Sequence, residues 1–124
     1  MNLIDALDIR LLELTTTGFK AEMLLSDFHA QPQGYLNGGA TLAFAEISAG
    51  MASTKLVSPD AFAVGTTVEG HHLTAIKAKG KIFAVADLLH QSKHRHLWDI
   101  RILDQKEQIV CKVLVENAIL KVQN

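Results

Sequence analysis

The sequence predicts an α+β fold in which an antiparallel β-sheet wraps around one long central α-helix. Three observations carry that expectation. One Ala- and Leu-rich stretch, Ala40 to Ser53, is longer than an ordinary strand and is built from good helix formers. Ahead of it, Phe19, Ala21, Met23 and Leu25 alternate with Lys20 and Glu22, the two-residue period of a strand buried on one face. Beyond it, from Ala61 onward, the chain reads as strands whose short connections favour antiparallel pairing.

Leu3, Ile4 and Leu7 stand at helical spacing and predict a short amphipathic turn or helix. A strand-like run from Ile9 to Thr15, a turn at Thr16-Thr17-Gly18 and the alternating run from Phe19 make a first hairpin. Ser26 to Gly34, with Pro32 and Gly34, is a loop. Asn37 is a favoured helix cap, and Gly38-Gly39 exposes unpaired backbone N–H groups at the positive end of the helix macrodipole, where an acceptor atom can dock. Ser58-Pro59-Asp60 closes the helical region. Strands are then expected over 61–74, over 80–89 with Ile82, Ala84, Ala86 and Leu88 on one face, over 97–103 and over 109–122, arranged as a meander.

A chain of 124 residues is expected to form a single domain, 1–124, around one core. With 12 Lys+Arg against 13 Asp+Glu there is no global field to draw it to nucleic acid or an anionic membrane, so an anionic ligand must be recognised locally. The lone Cys111 cannot form an intramolecular disulfide and reads as a packed thiol in a strand. No signal-peptide pattern opens the chain, and no apolar run approaches the ~20 residues of a membrane span; a cytoplasmic location is expected.

Between Asn37 and Ser53 the only ionisable side chain is Glu46. Burying an unpaired carboxylate costs several kcal/mol or raises its pKa, so Glu46 is expected to be compensated or used. Leu42, Ala43, Ala49 and Gly50 lie three or four positions away on its helix face and, Leu42 apart, are small enough to leave space above the acid. His90, Lys93, His94, Arg95 and His96 form a basic stretch where two strands turn: either a solvated turn or a contact for phosphate groups. His94 and His96 share a strand face, but no carboxylate or Cys joins them at ligand spacing, and the neighbours His71 and His72 point to opposite faces; no metal site is expected. Trp98 is expected in core or interface packing.

Gln31-Pro32-x-Gly34-x-x-Asn37-Gly38-Gly39-Ala40, followed by Leu42-Ala43-x-Ala45-Glu46, resembles the signature of hotdog-fold acyl-coenzyme A thioesterases, with its nearest likeness in the phenylacetate-pathway and aromatic-acyl (hydroxynaphthoyl-CoA) subgroup. Val64-Gly65-x-x-Val68-Glu69-x-x-His72, His90-x-Ser92-Lys93 with Trp98-x-Ile100, and a closing Ala118-Ile119-Leu120 extend the likeness over most of the chain. Two positions depart from it: Asn37 stands where the family usually has His before the glycines, and Gly50 where it often has Ser or Thr one turn after the Glu. Asn donates an amide hydrogen bond but does not titrate near neutral pH.

The resemblance implies hydrolysis of an aromatic or small acyl-CoA thioester without metal or redox cofactor. Glu46 would act as base or nucleophile and the Gly38 N–H as oxyanion donor, assisted by Gln31 or Asn37. His72, Ser92, Lys93 and His94 would contact coenzyme A. It further implies a homodimer or a dimer-of-dimers tetramer with the site between subunits, in keeping with the edge strands and apolar helix flank a short chain leaves uncovered. Two alternatives stay open: a catalytically weak acyl-CoA or acyl-carrier binding protein, motivated by Asn37 and Gly50, and a hydratase, for which His29 is the only His near the helix entry in sequence.

Overall fold

The computed structural model describes residues 1–123; the expected domain end at Asn124 lies outside them. A short helix α1 (Leu3–Leu7) precedes the hairpin β1 (Arg10–Leu14) and β2 (Gly18–Leu25), and the long helix α2 (Gly38–Leu56) is followed by β3 (Ala61–His72), β4 (Gly80–Gln91), β5 (Arg95–Leu103) and β6 (Ile109–Lys121). The strands pair antiparallel in one six-stranded sheet of order β1-β2-β4-β5-β6-β3 that wraps around α2, the hotdog arrangement. No helix among the described residues is long and apolar enough to cross a membrane.

Period-two alternation becomes the concave face of the sheet. Phe19, Ala21, Met23 and Leu25 of β2, Ile82, Ala84 and Ala86 of β4, Trp98, Ile100 and Ile102 of β5, and Cys111, Val113 and Val115 of β6 are all buried. Against them α2 sets Phe44, Ala45, Ala49 and Ala52, whose spacing of three and four keeps one helix stripe on the sheet. The alanines allow close approach, while Trp98 fills the remaining space and meets Phe19 edge-on with centroids 4.9 Å apart. Burial of each large side chain is worth about 1.5–3 kcal/mol.

Several expectations change. α1 buries only Leu7 and leaves Leu3 and Ile4 exposed, because five residues make too short a helix to cover a full stripe. The loop before α2 contains a 3₁₀ turn, Asp27–His29. The meander holds for β4, β5 and β6, but β3 is not beside β4: it pairs with β6, from Ala61 opposite Lys121 to His72 opposite Cys111, on the sheet edge. The connection over 73–79 makes no tight hairpin. Its Ile76 carbonyl accepts from Leu36 N–H at 2.8 Å and its Ala78 N–H donates to the Gly34 carbonyl at 3.0 Å, so the chain is tied to the loop that enters α2 and reaches β4 on the sheet's far side. Ala49, expected beside Glu46, lies wholly in the core instead.

The C-terminal half of α2 is held by a buried polar node. Ser53 Oγ accepts from Trp98 Nε1–H at 2.7 Å and from the Asn117 amide at 3.1 Å, and lies 2.7 Å from His96 Nδ1. All of these residues are fully buried. Indole N–H and amide NH₂ only donate and take both hydroxyl lone pairs, so the Ser53 proton goes to His96 Nδ1 and the imidazole carries its own proton on Nε2. Next along the helix, Thr54 Oγ1 accepts from Ala63 N–H at 3.0 Å, joining α2 to β3 as Ser53 joins it to β5 and β6. Removing the Ser53 hydroxyl leaves a buried indole N–H and a buried amide unpaired, each costing about 1–3 kcal/mol. Ser53→Ala is therefore expected to lose about 3 kcal/mol of unfolding free energy in urea at unchanged m-value; a loss below about 1 kcal/mol would show that the node does not hold the helix.

Candidate active site

The entry to α2 assembles a donor site. Asn37 caps the helix, its Oδ1 accepting from Gly39 N–H at 2.8 Å, while its backbone carbonyl accepts from Ala40 at 3.0 Å and Thr41 at 3.3 Å. That leaves the Gly38 N–H without an acceptor among the described residues, at the positive end of a 19-residue helix. With Oδ1 engaged in the cap, the Asn37 NH₂ is turned outward. The Gly38 Cα itself is pressed against His72: a Cβ built there would stand 2.8 Å from His72 Nε2, so only glycine gives the imidazole this seat. Gln31, Gly38 and His72 line one cleft of about 410 Å³ with Tyr35, Thr41 and Leu73.

Gln31 is delivered by a braced loop. Its N–H donates to the Tyr35 carbonyl at 2.8 Å, and its carbonyl accepts from Gly34 N–H at 2.8 Å. One turn earlier, His29 is buried, its Nδ1 accepting from Ser26 N–H at 3.1 Å, and its carbonyl accepts from the cap residue Asn37 at 2.8 Å. His29 thus clamps the loop to the helix start, and its ring does not line the Gly38 cleft. The histidine that does stand at the helix entry is His72, carried there by β3. Nothing in its sequence position relative to Asn37 indicates this, because the contact spans the helix and a strand.

Glu46 departs from expectation. It is exposed rather than trapped in an apolar environment, and it makes no hydrogen bond or ion pair among the described residues. Glu46 leaves α2 beside the edge strand β3, where Gly65 lies against its carboxylate. The acid nonetheless borders a cleft of about 620 Å³ walled by Ile4, Ile47, Met51, Ala63 and Val64, with Gly50 and Lys55 along the same side of the helix.

The basic stretch divides. Ser92 and Arg95 bracket the β4–β5 turn, with Ser92 N–H donating to the Arg95 carbonyl at 2.8 Å, and Lys93 and His94 are exposed between them. These turn residues border a third cleft, of about 830 Å³, against the C-terminal end of α2 and the start of β3. Arg95 pairs with Glu116. His96, expected in the basic turn, is buried in the Ser53 node, whereas His94 is exposed in the turn ahead of β5; both border this cleft. His72 is likewise separated from Ser92, Lys93 and His94, since it borders the Gly38 cleft. Cys111 is buried, and burial pushes its thiol pKa up.

Both buried imidazoles are held below the ordinary histidine range: His29 by desolvation, and His96 by desolvation and then by the nearby His90. A histidine whose folded pKa is depressed binds protons more readily in the unfolded chain, so stability present above about pH 6.5 is lost as pH falls toward the folded pKa. The melting temperature is expected to drop between about pH 7 and pH 5, and His96→Asn to flatten that slope; an acid-independent melting temperature would contradict the burial of both rings.

A family model described as the thioesterase superfamily matches residues 33–111. The crystal structure of a candidate thioesterase from Lactococcus lactis superposes with a TM-score of 0.92 at 42% identity, covering 97% of this chain and 99% of that one. The 1,4-dihydroxy-2-naphthoyl-CoA hydrolase of Listeria monocytogenes is 29% identical over 111 residues, 90% of this chain and 89% of its own. A candidate esterase of Bacillus subtilis is 32% identical over 120 residues, 96% of this chain and 94% of its own.

Proposed function

Because the chain belongs to the thioesterase superfamily and is a thioester hydrolase of the acyl-CoA class, we propose that it cleaves an aromatic or small acyl-CoA thioester at a site shared by two copies of the chain. One observation supports this most strongly. A single helix presents an unpartnered N–H at Gly38 and an unpartnered carboxylate at Glu46, and the eight-residue offset separates them by about 12 Å along the axis. Groups that far apart cannot act on the same carbonyl. Two chains can supply them together, with Glu46 of one facing Gly38, Gln31 and Asn37 of the other, and the unpaired edge of β3 is the natural seam.

In this assignment the thioester carbonyl oxygen is received by the Gly38 N–H, with the Gln31 or Asn37 amide as a second donor, so that negative charge develops against fixed dipoles. Glu46 either takes a proton from the water that attacks the carbonyl carbon or attacks it directly to give a mixed anhydride that water then opens. Collapse of the tetrahedral adduct breaks the C–S bond and releases the coenzyme A thiolate, which takes the proton Glu46 removed from water in the first route and the one released when water opens the anhydride in the second. His72 stands beside the Gly38 donor to contact the coenzyme, while Ser92, Lys93 and His94 meet its phosphates through hydroxyl, ammonium and imidazole. The aromatic or small acyl group follows from the apolar wall along Glu46 and from the naphthoyl-CoA substrate of the Listeria relative.

Glu46→Gln is expected to lower kcat at least about 100-fold in a thiol-release assay over benzoyl-, phenylacetyl-, hydroxynaphthoyl- and fatty acyl-CoA, and turnover undiminished by it would remove Glu46 from the chemistry. Shared sites make a sharper expectation. Gly38→Pro deletes the donor at the first helical position, where the backbone accepts proline, and its ring also displaces His72, so it is expected to be inactive alone. Unfolding and refolding it together with Glu46→Gln in equal amounts should restore about a quarter of wild-type activity, because half the dimers are mixed and each mixed dimer has one intact site. No recovery in a mixture shown to contain mixed dimers would place both groups in one chain.

A further inference from the structure

The strand facing Glu46 has no side chain where the acid lies. A Cβ built on Gly65 would stand 2.9 Å from Glu46 Cδ, 2.9 Å from Oε2 and 3.0 Å from Cγ, and its three nearest neighbours all belong to Glu46. Real Cβ atoms do not approach so closely. The backbone does not itself demand glycine here, since Gly65 is not among the positive-φ glycines. A glycine inside a strand weakens it, so this one is retained against local preference.

Its placement is built rather than incidental. Gly65 pairs with Asn117 of β6, and Asn117 is the residue whose amide enters the Ser53 node. Immediately afterwards β3 bulges: Thr67 takes Glu116 as its partner, and Thr66 is the extra residue, its hydroxyl donating to the Glu116 carbonyl at 3.1 Å. Thr54 holds β3 two residues earlier through Ala63 N–H. β3 is therefore held on both sides of the point where the bare Cα meets the carboxylate, to α2 through Thr54 and to β6 through Thr66. The opposite side is open, for a Cβ on Gly50 would meet nothing within 4 Å.

We propose that Gly65 is a positioning residue for the Glu46 carboxylate. The bare Cα of Gly65, next to the β3 bulge, is the surface on which the acid rests, and the missing Cβ sets how far the carboxylate stands from the space above Gly50 where water and the acyl carbon must meet. The proposal rests on Glu46 being the reacting acid. It explains why the contact is with the far end of a flexible side chain: adding a methyl group costs the fold little, because the carboxylate swings away, but the reaction then loses its geometry.

Gly65→Ala is expected to keep or raise the melting temperature, lower kcat about 10- to 100-fold with KM within about twofold, and move the acidic limb of the kcat–pH profile. A glycine serving strand packing alone would lower the melting temperature and leave kcat per folded molecule and that limb in place, overturning the proposal. Glu46→Asp supplies a second variant, since its shorter side chain withdraws the acid from the strand: Gly65→Ala added to it should cost less than about threefold more, whereas fully additive losses would overturn the proposal. Carbon-13 NMR of the Glu46 carboxyl separates the two failures. If Glu46→Gln retains full turnover, the reaction centre lies elsewhere; an unchanged Glu46 carboxyl chemical shift between wild-type and Gly65→Ala protein would refute the positioning itself.

Discussion

The hydroxyl of Ser53 is the point on which the rest of the structure turns. It sits inside the core where no water competes, and it receives an indole N–H from β5 and an amide from β6 while giving its proton to a second β5 side chain. Hydrophobic contact alone would let a helix lined with alanine slide or rotate on the sheet, because small apolar surfaces offer little registry. A directional bond at a single oxygen does not permit that. Fixing the rotation of α2 at Ser53 fixes, two turns earlier, the direction in which Glu46 leaves the helix. Through Asn117 it also fixes which residue of β3 the acid meets.

The same helix separates two kinds of chemistry. Its start concentrates unpaired donor character at Gly38, where the cap uses the neighbouring N–H groups and leaves that one over. Its middle offers an exposed carboxylate that lies against the edge strand β3. The Cα separation along the axis is set by helix geometry, and the Glu46 side chain, though it leans toward the helix start, closes only part of it. In the proposed dimer each chain would contribute two half-sites, and the outer edge of β3 runs alongside both groups, with Gly65 at Glu46 and His72 at Gly38. Under the proposed shared site, the exposed face that carries Glu46 is the one a second copy would cover.

Much of this was legible in the residues and some was not. Alternation in β2 and β4 named the buried residues because a strand with one wet face must alternate, and the helix start was marked by a capping Asn before glycines. Glu46 stood out as the sole ionisable group in an apolar run, yet its burial was misjudged, since apolar neighbours in sequence lie all round a helix while only one stripe is covered. His96 read as part of a basic turn because its neighbours are basic; strand pleating sends it inward, and the partner that accepts it there, Ser53, is 43 positions away. The place of β3 was missed for a related reason. Local connection length favours a meander, but the connection after β3 bonds to the loop ahead of α2 rather than turning back.

From sequence alone follow the α+β class, the central helix, the strand faces and the isolation of Glu46, because each depends on periodicity, capping or composition within a short window; the acyl chemistry came from the motif resemblance. Tertiary structure alone decided that His72 reaches Gly38, that Gly65 lies beneath the Glu46 carboxylate, and that His96 and Trp98 share one serine. Those contacts join elements dozens of residues apart, and their distances come from strand order, a one-residue bulge and helix rotation, which no local pattern encodes.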